Sequence, residues 1–223
     1  MTIRGAFRIS MVLSVLWYVG CAPLPGEKPL PSTASPRVFY ELGLSQLESG
    51  EYLQARLSLE QAVSLDPKQA TYRNALGYAN LHLGRLPHAV DAFREALKLN
   101  PDFPEAYNYL GVALAQSGQW GEAIAAFEKI LTFQAYNTPQ LVYQNLGWAY
   151  YNLGRYQEAE VALTTALRYD PKLVLAHYSL GLTREKRGRV QEAREAYQRV
   201  LELVPPDSET GRRAHDRLQA LGG

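Results

Sequence analysis

Few residues in this 223-residue chain are of types that do chemistry, and their spacing does not assemble them. A metal-binding helix would need histidines paired at ligand spacing. His82, His88, His177 and His215 are scattered without such partners. A phosphate cradle would need a glycine-rich loop ending in Lys and Ser or Thr, and no run of that form occurs. Sulfur chemistry has one candidate, Cys21, which leads into a proline-rich stretch and has no second cysteine for an intrachain disulfide. Glu95, Glu128, Glu158 and Glu192 could serve as acids or bases. They fall instead on helical stretches with Lys or Arg nearby, the pattern of solvated faces. The residues therefore imply no enzyme, no metal, no cofactor and no small-molecule substrate. Lys and Arg number 23 against 22 Asp and Glu, a net charge of +1. That balance lacks the broad basic field of a nucleic-acid binder.

The elements that would position any site begin with an unusual N-terminal stretch. Arg4 and Arg8 precede an apolar run from Ile9 to Val19, then Gly20 and Cys21. The run is short for a membrane span and has the proportions of a signal segment. Val19-Gly20-Cys21 resembles the bacterial lipobox, with Tyr18 standing where that family usually has Leu. The resemblance implies that residues 1–20 are removed and that Cys21 is lipidated as the first residue of the mature chain. On the residues themselves, an uncleaved anchor and an ordinary signal with a chance cysteine also remain open. Loss of Arg4 and Arg8 with residues 1–20 would take the charge from +1 to −1, further from nucleic acid. Ala22 follows the cysteine in place of the Asp that holds many lipoproteins at the inner membrane. By the same resemblance the chain is expected at the outer membrane, facing the periplasm. Residues 21–35 then form the expected tether, with Pro23, Pro25, Pro29 and Pro31 in it and Pro36 closing it. At about 3.1 Å per residue such a stretch reaches on the order of 45 Å.

From Pro36 the sequence repeats. Leu-Gly recurs at 42–43, 76–77, 110–111, 146–147 and 180–181, at spacings of 34, 34, 36 and 34. Seven residues after each comes a second glycine: Gly50, Gly84, Gly118, Gly154 and Gly188. Five further on stands Ala55, Ala89, Ala123, Ala159 or Ala193, and four after that Leu59, Phe93, Phe127, Leu163 or Tyr197. Asp66-Pro67, Asn100-Pro101 and Asp170-Pro171 are turn dipeptides. Each unit reads as two helical stretches, the second glycine turning the chain at positive φ. Glycine inside the first helix costs about 1 kcal/mol relative to Ala. Close approach of the second helix is the expected reason, with Gly77 against Ala89.

This pattern resembles the tetratricopeptide repeat family over about residues 36–207. The resemblance implies an all-α fold: a right-handed superhelical solenoid of five helix-turn-helix repeats (36–69, 70–103, 104–139, 140–173 and 174–207). A capping helix over 208–223 would close the stack, with Ala214, Leu218 and Leu221 on its inner face and Asp207-Ser208 as its start. The third unit is two residues longer, its proline displaced to Pro139, and the next helix is expected near Gln140. The extra length over 131–139 is either a harmless turn or a bend or contact loop carrying Phe133 and Tyr136.

In this family the first helices line a concave surface. Carried onto this chain, the groove positions hold Tyr40, Asn74, Tyr78, Asn108, Tyr109, Gln144, Asn145, Trp148, Tyr151 and Tyr178. Carboxamides both donate and accept, so they can hold the backbone of an extended peptide. Tyr and Trp supply broad apolar area with a polar tip. Packing between repeats is the other reading of each residue. The basic clamp by which chaperone adaptors of the family hold a C-terminal carboxylate is missing: Tyr40, Leu44, Ala75, Glu105 and Tyr109 stand there.

Lipobox, tether and repeats together resemble the pilotin and pilus-stability lipoproteins of type IV pilus systems. The local similarity is best from Tyr136 to Gly154, around Tyr143-Gln144-Asn145-Leu146-Gly147, although that family usually has six repeats rather than five and a cap. The implied function is a membrane-tethered adaptor that captures a protein or peptide partner, a segment of a secretin subunit. The alternative is a scaffold lipoprotein for another cell-envelope complex, such as cell-wall enzymes or outer-membrane protein assembly.

Overall fold

The computed structural model describes residues 35–134 and 136–222. The expected signal segment, Cys21 and all of the expected tether but Ser35 lie outside the described residues.

Among the described residues eleven α-helices follow one another and there is no strand. They are α1 (Pro36–Glu48), α2 (Tyr52–Leu65), α3 (Ala70–His82), α4 (Leu86–Leu99), α5 (Pro104–Gln116), α6 (Trp120–Ile130), α7 (Pro139–Asn152), α8 (Tyr156–Tyr169), α9 (Val174–Lys186), α10 (Val190–Leu203) and α11 (Glu209–Gly222). The first ten form five pairs.

Each pair turns through the second glycine of its unit, all five at φ between +68 and +76. The turn is a Schellman motif. In the second unit the Arg85 amide donates to the Asn80 carbonyl at 2.9 Å and the Gly84 amide to Leu81 at 3.0 Å. Orphan carbonyls at the helix end are thus satisfied. The Arg85 carbonyl then accepts from the Ala89 amide at 3.0 Å and starts α4. Between units, Asp66, Asn100 and Asp170 accept the amide two residues on at 3.2, 3.1 and 2.9 Å. An Asx turn followed by proline ends the second helix without an unpaired amide.

Within a pair, the first-helix glycine makes room above all for the large residue of the second helix, and at Gly147 the Ala159 carbonyl also lies close. A methyl on Gly77 would lie 2.6 Å from Phe93 Cε1, and one on Gly43 2.6 Å from Leu59 Cγ. Gly111, Gly147 and Gly181 face Phe127, Leu163 and Tyr197 in the same way. Ala89 is fully buried, but Phe93, one turn further along α4, fills the space above Gly77. A ring inserted into a side-chain-free notch buries more apolar area than two small residues in contact could.

Consecutive helices pack along the whole chain. The first helices α1, α3, α5, α7 and α9 also approach their successors within 8 Å between Cα atoms, and α9 approaches α11. No two second helices do so. The row of first helices is therefore the tighter one, and the stack curves with that row inside.

The third unit differs in its second helix. Helix α6 has 11 residues where α2, α4, α8 and α10 have 14. It lacks an Asx-Pro stop; Thr132 Oγ1 bonds back to the Lys129 carbonyl at 2.8 Å and the helix ends a turn early. Phe133 lies against Tyr107, ring centroids 6.1 Å apart, and Tyr136 packs on the core. Helix α7 starts on Pro139 itself, where the missing amide costs nothing.

Helix α11 covers the last pair. Ser208 Oγ accepts from the Gly211 amide at 3.1 Å, and Ala214 is fully buried. Leu218 and Leu221 rest against the cluster of Ala193, Tyr197 and Val200. Arg217 turns inward and pairs with Glu185, which also accepts the Tyr197 hydroxyl at 2.5 Å.

Candidate protein-binding groove

The concave row brings part of the expected residue set into two hollows. The first, of about 230 Å³, is lined from α1, α3 and α5 by residues that include Tyr40, Leu44, Asn74, Tyr78 and Tyr109. The second, of about 220 Å³, is lined from α5, α6 and α7 by residues that include Val112, Trp120, Phe127, Asn145 and Trp148. Neither is lined by a charged side chain. Such walls match an uncharged segment and offer no opposite charge to a free carboxylate.

Aromatic contacts fix the first hollow. The Tyr40 ring lies 4.6 Å from Tyr72, and Tyr78 meets Tyr109 edge-on at 5.0 Å. Tyr109 in turn stacks on the buried Phe93 at 5.8 Å. The glycine notch therefore positions the wall of the hollow through Phe93. Burial pushes the Tyr40 and Tyr109 phenols above their ordinary pKa, so both stay neutral hydrogen-bond donors. Asn74 Oδ1 is buried here with no hydrogen-bond partner among the described residues. Its amide is an acceptor awaiting a donor.

In the second hollow Trp148 is 39% exposed and stacks on Tyr151, centroids 5.4 Å apart and planes 13° from parallel. The stack holds the indole face at the rim. Tyr151 itself leans on Tyr156 at 5.7 Å and lines neither hollow. Asn108 and Gln144 are half-buried on α5 and α7 outside both hollows. Tyr178 packs against the buried Tyr197 at 5.8 Å.

The histidines all have local partners. His82 stacks on Tyr52 at 4.4 Å, His88 lies 3.3 Å from Arg85, His177 Nε2 is 2.9 Å from the Pro171 carbonyl, and His215 meets Gln219 at 3.0 Å. Among the described residues no group of three or more His, Cys, Asp or Glu could hold a metal, and no helix is long and apolar enough to cross a membrane. Glu95, Glu158 and Glu192 pair with Lys98, Arg155 and Arg189 on helix surfaces.

Two features escape the repeat pattern. Glu160 is buried among Arg184, Arg187 and Arg189 and ties α8 to the turn before α10. A hollow of about 610 Å³ lies outside the expected groove set, between α6, α7 and α8.

A tetratricopeptide repeat family model matches residues 40–98, 87–138 and 145–208. TPR repeat-containing protein MJ1428 of Methanocaldococcus jannaschii is 38% identical over 58 residues, 26% of this chain. The match spans only a tenth of that protein's length. Among solved structures, PilW, described as a widely conserved type IV pilus biogenesis factor, superposes with a TM-score of 0.69 at 24% identity. It covers 83% of this chain and 92% of its own. MamA from Desulfovibrio magneticus gives 0.70 at 23% identity, covering 75% and 94%. YrrB, described as a TPR protein with an unusual peptide-binding site, gives 0.68 at 19% identity, covering 80% and 90%.

Proposed function

This chain belongs to the tetratricopeptide repeat family, and on that premise we propose that it is a binding adaptor, not an enzyme, whose concave row captures an extended, uncharged segment of another protein. The observation that carries the reading is an uncharged hollow on the concave row, walled by Tyr40, Tyr78 and Tyr109 with Asn74 beside them. A buried acceptor without a donor costs about 1–3 kcal/mol. Rotation of the Asn74 amide into the hollow would let its oxygen accept from a backbone amide of a bound peptide and remove that cost, while Tyr40, Tyr78 and Tyr109 cover the apolar part of the peptide. Trp148 and Asn145 line a second uncharged hollow two units further on. The peptide-binding site in the description of YrrB, which shares the fold, supports the same use of this one.

For the partner we propose a secretin subunit of a type IV pilus system, with the adaptor held at the outer membrane, facing the periplasm, by lipidated Cys21. Likeness of fold to PilW over most of both chains supports this, together with Val19-Gly20-Cys21 and the prolines after it. The test is deletion of the gene with secretin multimers followed in the outer membrane. Multimers should fall, and restored wild-type protein should return them. Unchanged multimers would exclude the secretin role and leave the scaffold for another envelope complex. Labelled palmitate should enter the wild-type chain and not Cys21→Ser; equal labelling would remove the anchor.

A further inference from the structure

The crease between the third and fourth units is shaped as a binding site on the face away from the groove. It exists because α6 stops at Ile130, a turn short of the other second helices. Its volume of about 610 Å³ is well above the 230 and 220 Å³ of the groove hollows. That size is typical of sites that hold a small ligand or several side chains. One part of its wall is apolar, with Leu131, Leu146 and Val161, the last 64% exposed to solvent. The rest carries two carboxylates, Glu128 and Glu158, and the Tyr150 hydroxyl.

No cationic side chain lines the crease. Glu128 accepts one hydrogen bond, from the Tyr150 hydroxyl at 2.6 Å. Glu158 pairs with Arg155, whose guanidinium lies over the Tyr150 ring, 4.6 Å from its centroid. An ionised carboxylate has room for about four hydrogen bonds, so both retain free acceptor capacity. The Tyr150 face already attracts one cation, as electron-rich rings do.

The floor runs from Tyr143 to Tyr150 on α7. Seven steps of about 1.5 Å make it about 10 Å long. That is the length of about three residues of extended chain, whose first and third side chains point the same way. We propose that this crease is a second docking site for a partner protein. Its occupant is an extended segment with a large apolar residue and, two positions away, a lysine or arginine. The apolar side chain fills the space beside Leu131, Leu146 and Val161. The cation bonds to Glu128 and Glu158.

The test uses the full-length chain in detergent and dye-labelled capped peptides. The probe has the sequence Ala-Leu-Ala-Lys-Ala, and controls carry Glu for Lys or Ser for Leu. Fluorescence anisotropy should report binding of the probe and neither control. Glu158→Gln should weaken it about tenfold, as loss of a charge-assisted bond does. Val161→Arg, at an exposed position, should abolish it with helical content unchanged. Asn74→Ala in the groove should leave it intact. Equal binding of the Glu control, indifference to Glu158→Gln and Val161→Arg, or no anisotropy change at millimolar protein would overturn the proposal. So would a dimer in sedimentation that Val161→Arg disperses, because the crease would then belong to a second copy.

Discussion

Asn74 and Asn80 both bury an amide oxygen without a donor, and only one of them lines a hollow. Asn80 has its nitrogen tied to the Leu76 carbonyl at 3.0 Å. Asn74 lines the hollow proposed for a peptide, where rotation of its amide would offer the oxygen to a donor. Asn74→Ala should therefore leave thermal stability equal or higher, since it deletes an uncompensated polar group. It should weaken peptide capture about fivefold, the worth of one hydrogen bond. Asn80→Ala should not touch capture. Thermal melts alongside peptide titration check all three. Tyr150 offers a pH test. Burial first, then its bond to Glu128, push its pKa from 10.0 to about 12. The neutral phenol is thus favoured by the fold. That contribution is complete below pH 10 and is lost as pH rises through 12. Tyr40, Tyr109, Tyr151 and Tyr197 are also raised, so ultraviolet difference titration should show several late tyrosines, and Tyr150→Phe should remove one of them and flatten stability over that range.

The helix pair owes its geometry to a notch and a plug. Gly77→Ala puts a methyl 2.6 Å from the Phe93 ring, which the surrounding core must absorb. Overpacking of this kind costs about 1–3 kcal/mol, against about 1 kcal/mol regained in helix propensity. A net loss of about 1 kcal/mol is expected in denaturant unfolding. Phe93→Leu should soften it, so the two changes should couple in a double-mutant cycle. Strict additivity would mean that they do not share the contact. The sequence announces this notch clearly, because a glycine repeated inside a helix needs a cause. It does not announce the plug. Gly77 and Ala89 are both small, and small residues in facing helices suggest contact; only the coordinates reveal that Phe93 spans the gap. The early end of α6 was hidden similarly. Leu131-Thr132-Phe133 carries no helix-breaking residue, yet the helix ends there, with the Thr132 hydroxyl donating to the Lys129 carbonyl.

At the level of the whole molecule, stacking converts five similar pairs into one body whose ends need protection. Removal of residues 209–223 would bare Tyr197 and Val200 and leave Glu185 without Arg217. The shortened protein should self-associate in sedimentation and melt earlier; a monomer of unchanged stability would mean that α11 is no cap. Repeat number and helix pairing were legible because each follows from a recurring residue, and the inner position of the first helices was implied by the family resemblance alone. The site was legible only in part. Tyr40, Asn74, Tyr78, Tyr109, Asn145 and Trp148 gather in hollows because their neighbours across the groove are aromatic or small. Tyr178 turns to Tyr197, a partner one helix away that only this unit has as tyrosine. The crease beside Val161 depends on an absent helical turn, which no residue type marks. The central claim is that partner protein lies along the inner row of helices. Photo-crosslinking in living cells tests it most directly. A benzophenone amino acid would replace Thr71 or Gln116 at the rims of the two hollows, or Leu57 on α2 outside them. Thr71 and Gln116 should yield one shared adduct containing a secretin segment, and Leu57 none; adducts that form from Leu57 alone would contradict the account.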